Sequence, residues 1–152
     1  KMSKVVLIGG GHVNCQLLKM LKRNVTKLAS ASEEVKGGAI DLTLVSENAK
    51  SYYSGMLPGS TAAIYKPSQI QVELGPVAKW CKANFIQKKV TKIIANENKI
   101  ELADGTTVDY DVLAINVGSK TKGTDSIPGV YEHSLTTRPI DDLLPKIERR
   151  EK

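Results

Sequence analysis

The sequence predicts an α/β fold built on a parallel sheet, with a small antiparallel β excursion late in the chain. Three observations carry that expectation. Residues 5–8, Val-Val-Leu-Ile, form a continuous apolar run that ends in Gly9, Gly10 and Gly11, the pattern of a strand buried on both faces. The apolar period then changes: Val13, Leu17, Leu18, Leu21, Val25 and Leu28 recur at spacings of three and four, with Lys19, Lys22, Arg23 and Lys27 between them, which predicts an amphipathic helix over 12–28. Residues 40–45 read as a second strand and residues 111–117 are again an apolar run, and strands joined through a crossover helix pair in parallel.

The remaining elements follow in order. Residues 29–38 are small and polar and end in Gly37-Gly38, a loop signature. Residues 54–63 suit a short helix after the turn chemistry of 51–58, and 76–82 suit one or two helical turns with Pro76 at the first helical position. Residues 85–86, 90–95 and 99–102, separated by polar turns at Asn96-Glu97-Asn98 and Ala103-Asp104-Gly105, outline the antiparallel excursion. Asp141-Asp142 suits a cap for a last helix through Leu143, Leu144 and Ile147.

The chain has 152 residues, 41% hydrophobic and 25% charged, which fits one soluble domain with a sizeable core and excludes a complete two-domain enzyme. A formal charge of +6 would suit an anionic partner. The densest basic group, Lys79, Lys82, Lys88, Lys89 and Lys92 beside Trp80 and Phe85, comes with no recognition motif for nucleic acid, so none is expected. Cys15 and Cys81 lack metal-binding or redox spacing and read as free thiols, and no apolar run is long enough for a membrane span or a signal peptide, which suits an intracellular protein, cytoplasmic or organellar. Lys1 ahead of Met2 reads as an appended or excised start.

The sharpest chemical feature is Gly9-Gly10-Gly11-His12-Val13-Asn14 between a strand and a helix. Glycines there let the backbone turn tightly beside a pyrophosphate, whose charge meets the N–H groups of the helix N-terminus. Asn14 stands where the fingerprint has its third glycine. At the end of the second strand, Ser46 and Glu47 are candidates for ribose hydroxyls, with Glu47 equally readable as a solvated loop residue. A glycine turn without a ligand is the plain alternative.

Four stretches in order carry a family resemblance: Val5 to Asn14; Leu42-Thr43-Leu44-Val45-Ser46; Tyr53-Ser54-Gly55-Met56-Leu57-Pro58-Gly59; and Tyr110-Asp111-Val112-Leu113-Ala114-Ile115-Asn116-Val117-Gly118-Ser119. Together they resemble the Rossmann-like FAD-binding domain of pyridine nucleotide-disulfide oxidoreductases. The likeness is to the NADH dehydrogenase-like branch whose members are sometimes fused to selenide, water dikinase and commonly replace the third glycine.

The resemblance implies roles by position. Gly9, Gly11, His12 and Val13 would hold the FAD pyrophosphate; Ser46 and Glu47 would lie by the adenosine ribose; Val90 would meet adenine through its backbone. Ser54, Gly55 and Met56 would approach the flavin, and Asn116, Val117 and Gly118, in place of Ala-Thr-Gly, would pass close to the cofactor. No residue is assigned as acid, base, nucleophile or metal ligand. The redox cysteines of the disulfide reductases and a second glycine-rich unit for NADH do not occur, and Arg138-Pro139-Ile140-Asp141-Asp142 resembles the segment leading into that NADH domain. The implied whole is therefore the FAD-binding N-terminal part, residues 1–152, of an enzyme passing electrons from NADH through FAD to an acceptor such as a quinone, inactive by itself. A non-catalytic nucleotide-binding module and a free-standing NAD(P)-binding protein are the competing readings.

Overall fold

The computed structural model describes residues 3–30 and 40–150. Most of the loop expected over 29–38 lies outside those residues, as does the start at Lys1 and Met2. The described residues form two compact units, one comprising residues up to 51 and 73–117, the other 52–72 and 118 onward.

In the first unit, β1 (Ser3–Ile8), α1 (His12–Ser30) and β2 (Ile40–Ser46) follow the expected strand, helix, strand order. β1 and β2 pair in parallel, with Val5 opposite Leu42 and Ile8 opposite Val45. The chain then passes through β3 (Lys50–Tyr52) into the second unit, where the short helix α2 (Leu57–Thr61) lies, and returns through β4 (Gln71–Glu73); β3 and β4 pair as a two-stranded ribbon.

Next come α3 (Leu74–Trp80), β5 (Asn84–Gln87), β6 (Val90–Ile94), β7 (Lys99–Leu102), β8 (Thr107–Asp109) and β9 (Val112–Ile115). Three strands pair antiparallel in the order β6-β7-β8. The parallel sheet has the order β5-β2-β1-β9.

Alternation along the parallel strands sorts the core into two layers. Leu7, Leu42 and Leu44 pack with Leu18 of α1, Leu74 of α3 and Cys81. Val6, Ile8 and Val45 instead pack with Ile100, Leu102 and Tyr110 of the antiparallel excursion. The sheet is therefore covered by helices on one face and by the small sheet on the other, as its continuous apolar runs require. Complete burial of Leu7, Leu18, Leu44 and Leu74 contributes about 2 kcal/mol each to holding the layers together.

The structure corrects four expectations. Residues 85–86 belong to β5, which joins the parallel sheet beside β2, with Leu44 opposite Phe85; a short run carries no signal of its partner, and α3 supplies the crossover that makes parallel pairing possible. Helix α3 begins at Leu74, so Pro76 is its third residue, still within the first turn where a missing N–H costs no helical bond. The helix expected over 54–63 divides into a 3₁₀ turn at Ser54–Met56 and α2, the break falling just before Pro58. In the second unit α4 (Val130–His133) precedes α5 (Ile140–Arg150), which places Asp141 and Asp142 inside the first turn of α5 and not ahead of it.

Helix α3 ends in a left-handed Schellman cap at Lys82, φ 57°. The Ala83 N–H donates to the Ala78 carbonyl at 2.9 Å and the Lys82 N–H to the Lys79 carbonyl at 3.0 Å, satisfying two carbonyls that the helix end would leave open.

Candidate functional site

The carboxyl edge of the parallel sheet carries the glycine turn after β1, Ser46 at the end of β2 and Asn116 after β9. From β1 the chain builds outward to β2 and β5, and it then crosses to the other side of β1 to add β9. The strand order thus reverses between β1 and β9, and in open α/β sheets such a reversal opens a crevice beyond the strand ends. The glycine turn leaves β1 at that point.

Each glycine of the turn is constrained differently. Gly9 has φ +89°, and a Cβ there would lie 2.3 Å from the Asn116 carbonyl oxygen, so conformation and space both demand glycine. Its N–H donates to the Val45 carbonyl at 2.8 Å, which ties the turn to β2. At Gly11 a Cβ would come within 1.9 Å of Asn116 Oδ1, and the Gly11 carbonyl accepts from the Cys15 N–H at 3.1 Å, closing the first turn of α1. Beside Gly10, the Leu74 side chain fills the space a Cβ would need.

Helix α1 runs 19 residues and carries no acidic side chain in its first turn. The positive end of its dipole, which includes the amides of His12 and Val13, therefore meets no carboxylate of its own helix. His12 and Val13 are themselves exposed.

Asn14 shows what replaces the third glycine. It is 1% exposed, and its Nδ2 donates to the Ile8 carbonyl at 2.9 Å and the Gly9 carbonyl at 2.8 Å. Its Oδ1 is buried and, among the described residues, accepts from no protein group. The side chain thus braces the turn from below, a role missed when Asn14 is read only as a departure from a motif. A signal for it exists: Asn14 precedes Leu18 by four residues and Leu21 by seven, so the helical period puts it on the apolar stripe.

Around the turn, Ser46 ends β2 and is buried, whereas Glu47 beyond it is exposed. Val90 opens β6 opposite Leu102, half-buried against the cluster of Val6, Ile8 and Val45. The Asn116 N–H donates to the Ile8 carbonyl at 2.8 Å, so Asn116 extends β9 beside the glycine turn; Val117 follows it and is exposed. Gly9, Gly11, His12, Val13, Asn14, Ser46, Val90, Asn116 and Val117 all belong to the first unit.

Gly118, φ +78° with open space where a Cβ would stand, begins the second stretch of the other unit, which also holds Ser54, Gly55 and Met56. The Met56 N–H donates to the Tyr53 carbonyl at 3.1 Å, and the Tyr53 N–H to the Ile70 carbonyl at 2.8 Å. A Cβ on Gly55 would sit 3.1 Å from the Tyr53 ring, so the aromatic side chain packs on the glycine backbone. Ser54 and Gly55 are exposed and Met56 half-buried.

Both cysteines are free. The Cys15 thiol donates to the Gly10 carbonyl at 3.4 Å. Burial pushes Cys15 and Cys81 above the ordinary thiol range, and the electrostatic effect of Cys81 adds to the rise at Cys15. Neither is poised as a nucleophile. Among the described residues no helix is long and apolar enough to cross a membrane.

No family model matches the chain. Among curated proteins it is similar to the type II NADH:quinone oxidoreductase of Staphylococcus haemolyticus, 28% identical over 138 residues, covering 91% of this chain and 31% of that one. The enzyme of the same name from Staphylococcus aureus strain NCTC 8325 is 28% identical over 132 residues, 87% of this chain and 30% of its own length. The chain thus spans just under a third of these relatives.

Among solved structures, the sulfide:quinone oxidoreductase of Aquifex aeolicus superposes with a TM-score of 0.73 at 21% identity, over 98% of this chain and 32% of that one. NDH2 of Plasmodium falciparum in complex with NADH superposes at 0.71 and 22% identity, over 99% and 29%. The fold is Rossmann-like, as in these neighbours, and the sequence relatives are named type II NADH:quinone oxidoreductases.

Proposed function

We propose that this chain is the FAD-binding portion of an NADH-dependent oxidoreductase that delivers electrons to an acceptor such as a quinone. The observation that carries the reading is the glycine turn, set at the reversal of strand order with the N-terminus of α1 directly behind it. The arrangement fits a dinucleotide: a turn with no side chains, a helix end with no carboxylate of its own, and a hydroxyl and a carboxylate at the end of the neighbouring strand.

Gly9, Gly11 and the amides of His12 and Val13 would hold the pyrophosphate, while Ser46 and Glu47 would take the ribose hydroxyls. Val90 would contact adenine through its backbone. Asn116, Val117 and Gly118 would flank the cofactor at the end of β9. Ser54, Gly55 and Met56 are proposed as flavin contacts on the motif resemblance alone, and the selenide, water dikinase-associated branch rests on the same motif. Bound there, FAD would supply the capacity to accept two electrons from NADH and pass them on. The chain's own part is to bind and orient it.

The names of the relatives support NADH as donor and quinone as acceptor, both supplied or met by parts of the longer proteins. The test is a titration with FAD and with NADH, followed by visible absorbance and flavin fluorescence. Saturable FAD uptake with a perturbed flavin spectrum is the expected result. Saturable NADH binding without FAD uptake would assign the turn to a nicotinamide nucleotide instead.

A further inference from the structure

Asn14 and Asn116 both bring a carboxamide to the glycine turn, and the two are used differently. The Asn14 Nδ2 is engaged by the fold, donating to the Ile8 and Gly9 carbonyls. Asn116 has its backbone fixed instead: it follows β9, whose Ile115 pairs with Ile8, and its N–H donates to the Ile8 carbonyl at 2.8 Å. From that root its side chain lies across Gly11. A Cβ on Gly11 would meet Asn116 Oδ1 at 1.9 Å, Cγ at 2.7 Å and the Asn116 carbonyl oxygen at 2.9 Å, so the amide oxygen rests on the glycine and the amide nitrogen is the end turned away from it. An oxygen suits that place, because the glycine Cα offers it C–H groups, which weakly favour an acceptor.

Asn116 is half-buried, and among the described residues its carboxamide makes no hydrogen bond to protein. The nitrogen carries two donors and no acceptor. It stands beside the first turn of α1, which holds no acidic side chain. A donor placed next to the amides of a positive helix end selects an anion, and a hydrogen bond to an ionised group is stronger than one between neutral groups.

We propose that Asn116 is a binding residue for the pyrophosphate, its Nδ2 donating to the anionic linker that the glycine turn receives. The inference rests on the cofactor reading above and goes beyond it, since it gives the turn a side-chain donor where the position was assigned only a backbone passing close to the cofactor. Asparagine in place of the alanine of Ala-Thr-Gly thereby adds a contact. Because Asn116 is anchored at its N–H and laid against Gly11 before any ligand arrives, little side-chain freedom is lost when the bond forms.

Asn116→Asp and Asn116→Ala are titrated with FAD beside the wild-type chain, and all three chains are unfolded in urea. Asn116→Asp keeps the shape and an oxygen against Gly11 but exchanges the donor for a charged acceptor. Its carboxylate faces the positive end of α1, so stability should hold or rise, while FAD binds at least about tenfold more weakly. Asn116→Ala should also weaken FAD, by about tenfold. A purely structural side chain would move stability and affinity together, so their divergence in Asn116→Asp is the signature. In amide spectra of the isotopically labelled chain, the Asn116 carboxamide signals, identified by their loss in the variants, should shift on adding FAD and on adding ADP, which carries a diphosphate without the flavin. Wild-type affinity in Asn116→Asp, a loss of stability parallel to the loss of affinity in that variant, or carboxamide signals that stay in place at saturating FAD would each overturn the proposal. A wild-type chain that takes up no FAD overturns the cofactor reading and this proposal with it, whereas FAD uptake that neither variant alters removes Asn116 alone.

Discussion

Asn14 and Asn116 meet on one acceptor: the Asn14 Nδ2 reaches the Ile8 carbonyl at 2.9 Å and the Asn116 backbone N–H reaches it at 2.8 Å. One asparagine comes from the first turn of α1 and the other from the end of β9. Between them they fix the last residue of β1 and hence the direction in which the glycine turn departs.

Replacing Asn14 tests that brace. In Asn14→Ala the Ile8 carbonyl keeps its bond from Asn116, but the Gly9 carbonyl loses its side-chain donor, so the unfolding free energy should fall by about 1–3 kcal/mol. Asn14→Gly restores the third glycine of the general motif, yet it loses the same two bonds and adds a glycine to a helix, so it should be less stable still by about 1 kcal/mol. Urea denaturation followed by circular dichroism measures both. A more stable glycine variant would contradict the account.

Gly9 and Gly105 separate strain from crowding. Both have positive φ, +89° and +81°, but a Cβ on Gly9 strikes the Asn116 backbone whereas one on Gly105 meets nothing within 4 Å. Gly105→Ala should cost about 1–2 kcal/mol from conformation alone. Gly9→Ala should cost more, about 2–4 kcal/mol, and should abolish FAD uptake in the same titration where Gly105→Ala keeps it.

Asp104 predicts an acid-range effect. Its hydrogen bond from Lys88, helped by the Thr106 hydroxyl and amide, lowers its carboxyl to about 2. A carboxyl depressed in the folded state contributes stability above its ordinary range near 4, and that contribution is lost as the pH falls from there toward about 2. The wild-type chain should therefore lose stability more steeply across this window than Asp104→Asn. Because the pair is exposed, high salt should narrow the difference, and parallel melting profiles for the two chains would remove Asp104 from the account.

The thiols should be slow. With both Cys15 and Cys81 raised by burial, the thiolate fraction near neutral pH is below that of an ordinary cysteine, and access is restricted as well. Alkylation by iodoacetamide should proceed far more slowly in the folded chain than in urea. Equal rates in the two states would show that the layer between α1, α3 and the sheet does not close over them.

What the sequence made legible were the features governed by local rules. The run at 5–8, the three glycines and the helical period after them define β1, the turn and α1 without any knowledge of partners. Pairing is nonlocal, which is why Phe85 and Ile86 read as part of the antiparallel excursion although α3 carries them back beside β2. β8 is three residues long and has too little periodicity to register.

At the site, Gly9 and Gly11 follow from motif and context, and the structure adds the reason each is needed. The bonds of Asn14 and the approach of Asn116 Oδ1 to Gly11 depend on three segments coming together, so residue type alone does not reveal them. Trp80 offers the reverse lesson. Its lysine neighbours are visible in the sequence, but only the packing of α1 on α3 brings Lys22 over its ring.

The central claim is that the glycine turn and the N-terminus of α1 receive the pyrophosphate of FAD. Amide chemical shifts of the isotopically labelled chain, recorded with and without FAD, test it residue by residue. The account predicts the largest changes at Gly9, Gly10, Gly11, His12 and Val13, with further changes at Ser46, Asn116 and Gly118. Saturable shifts confined to other residues, or shifts at these amides with NADH and none with FAD, would contradict it.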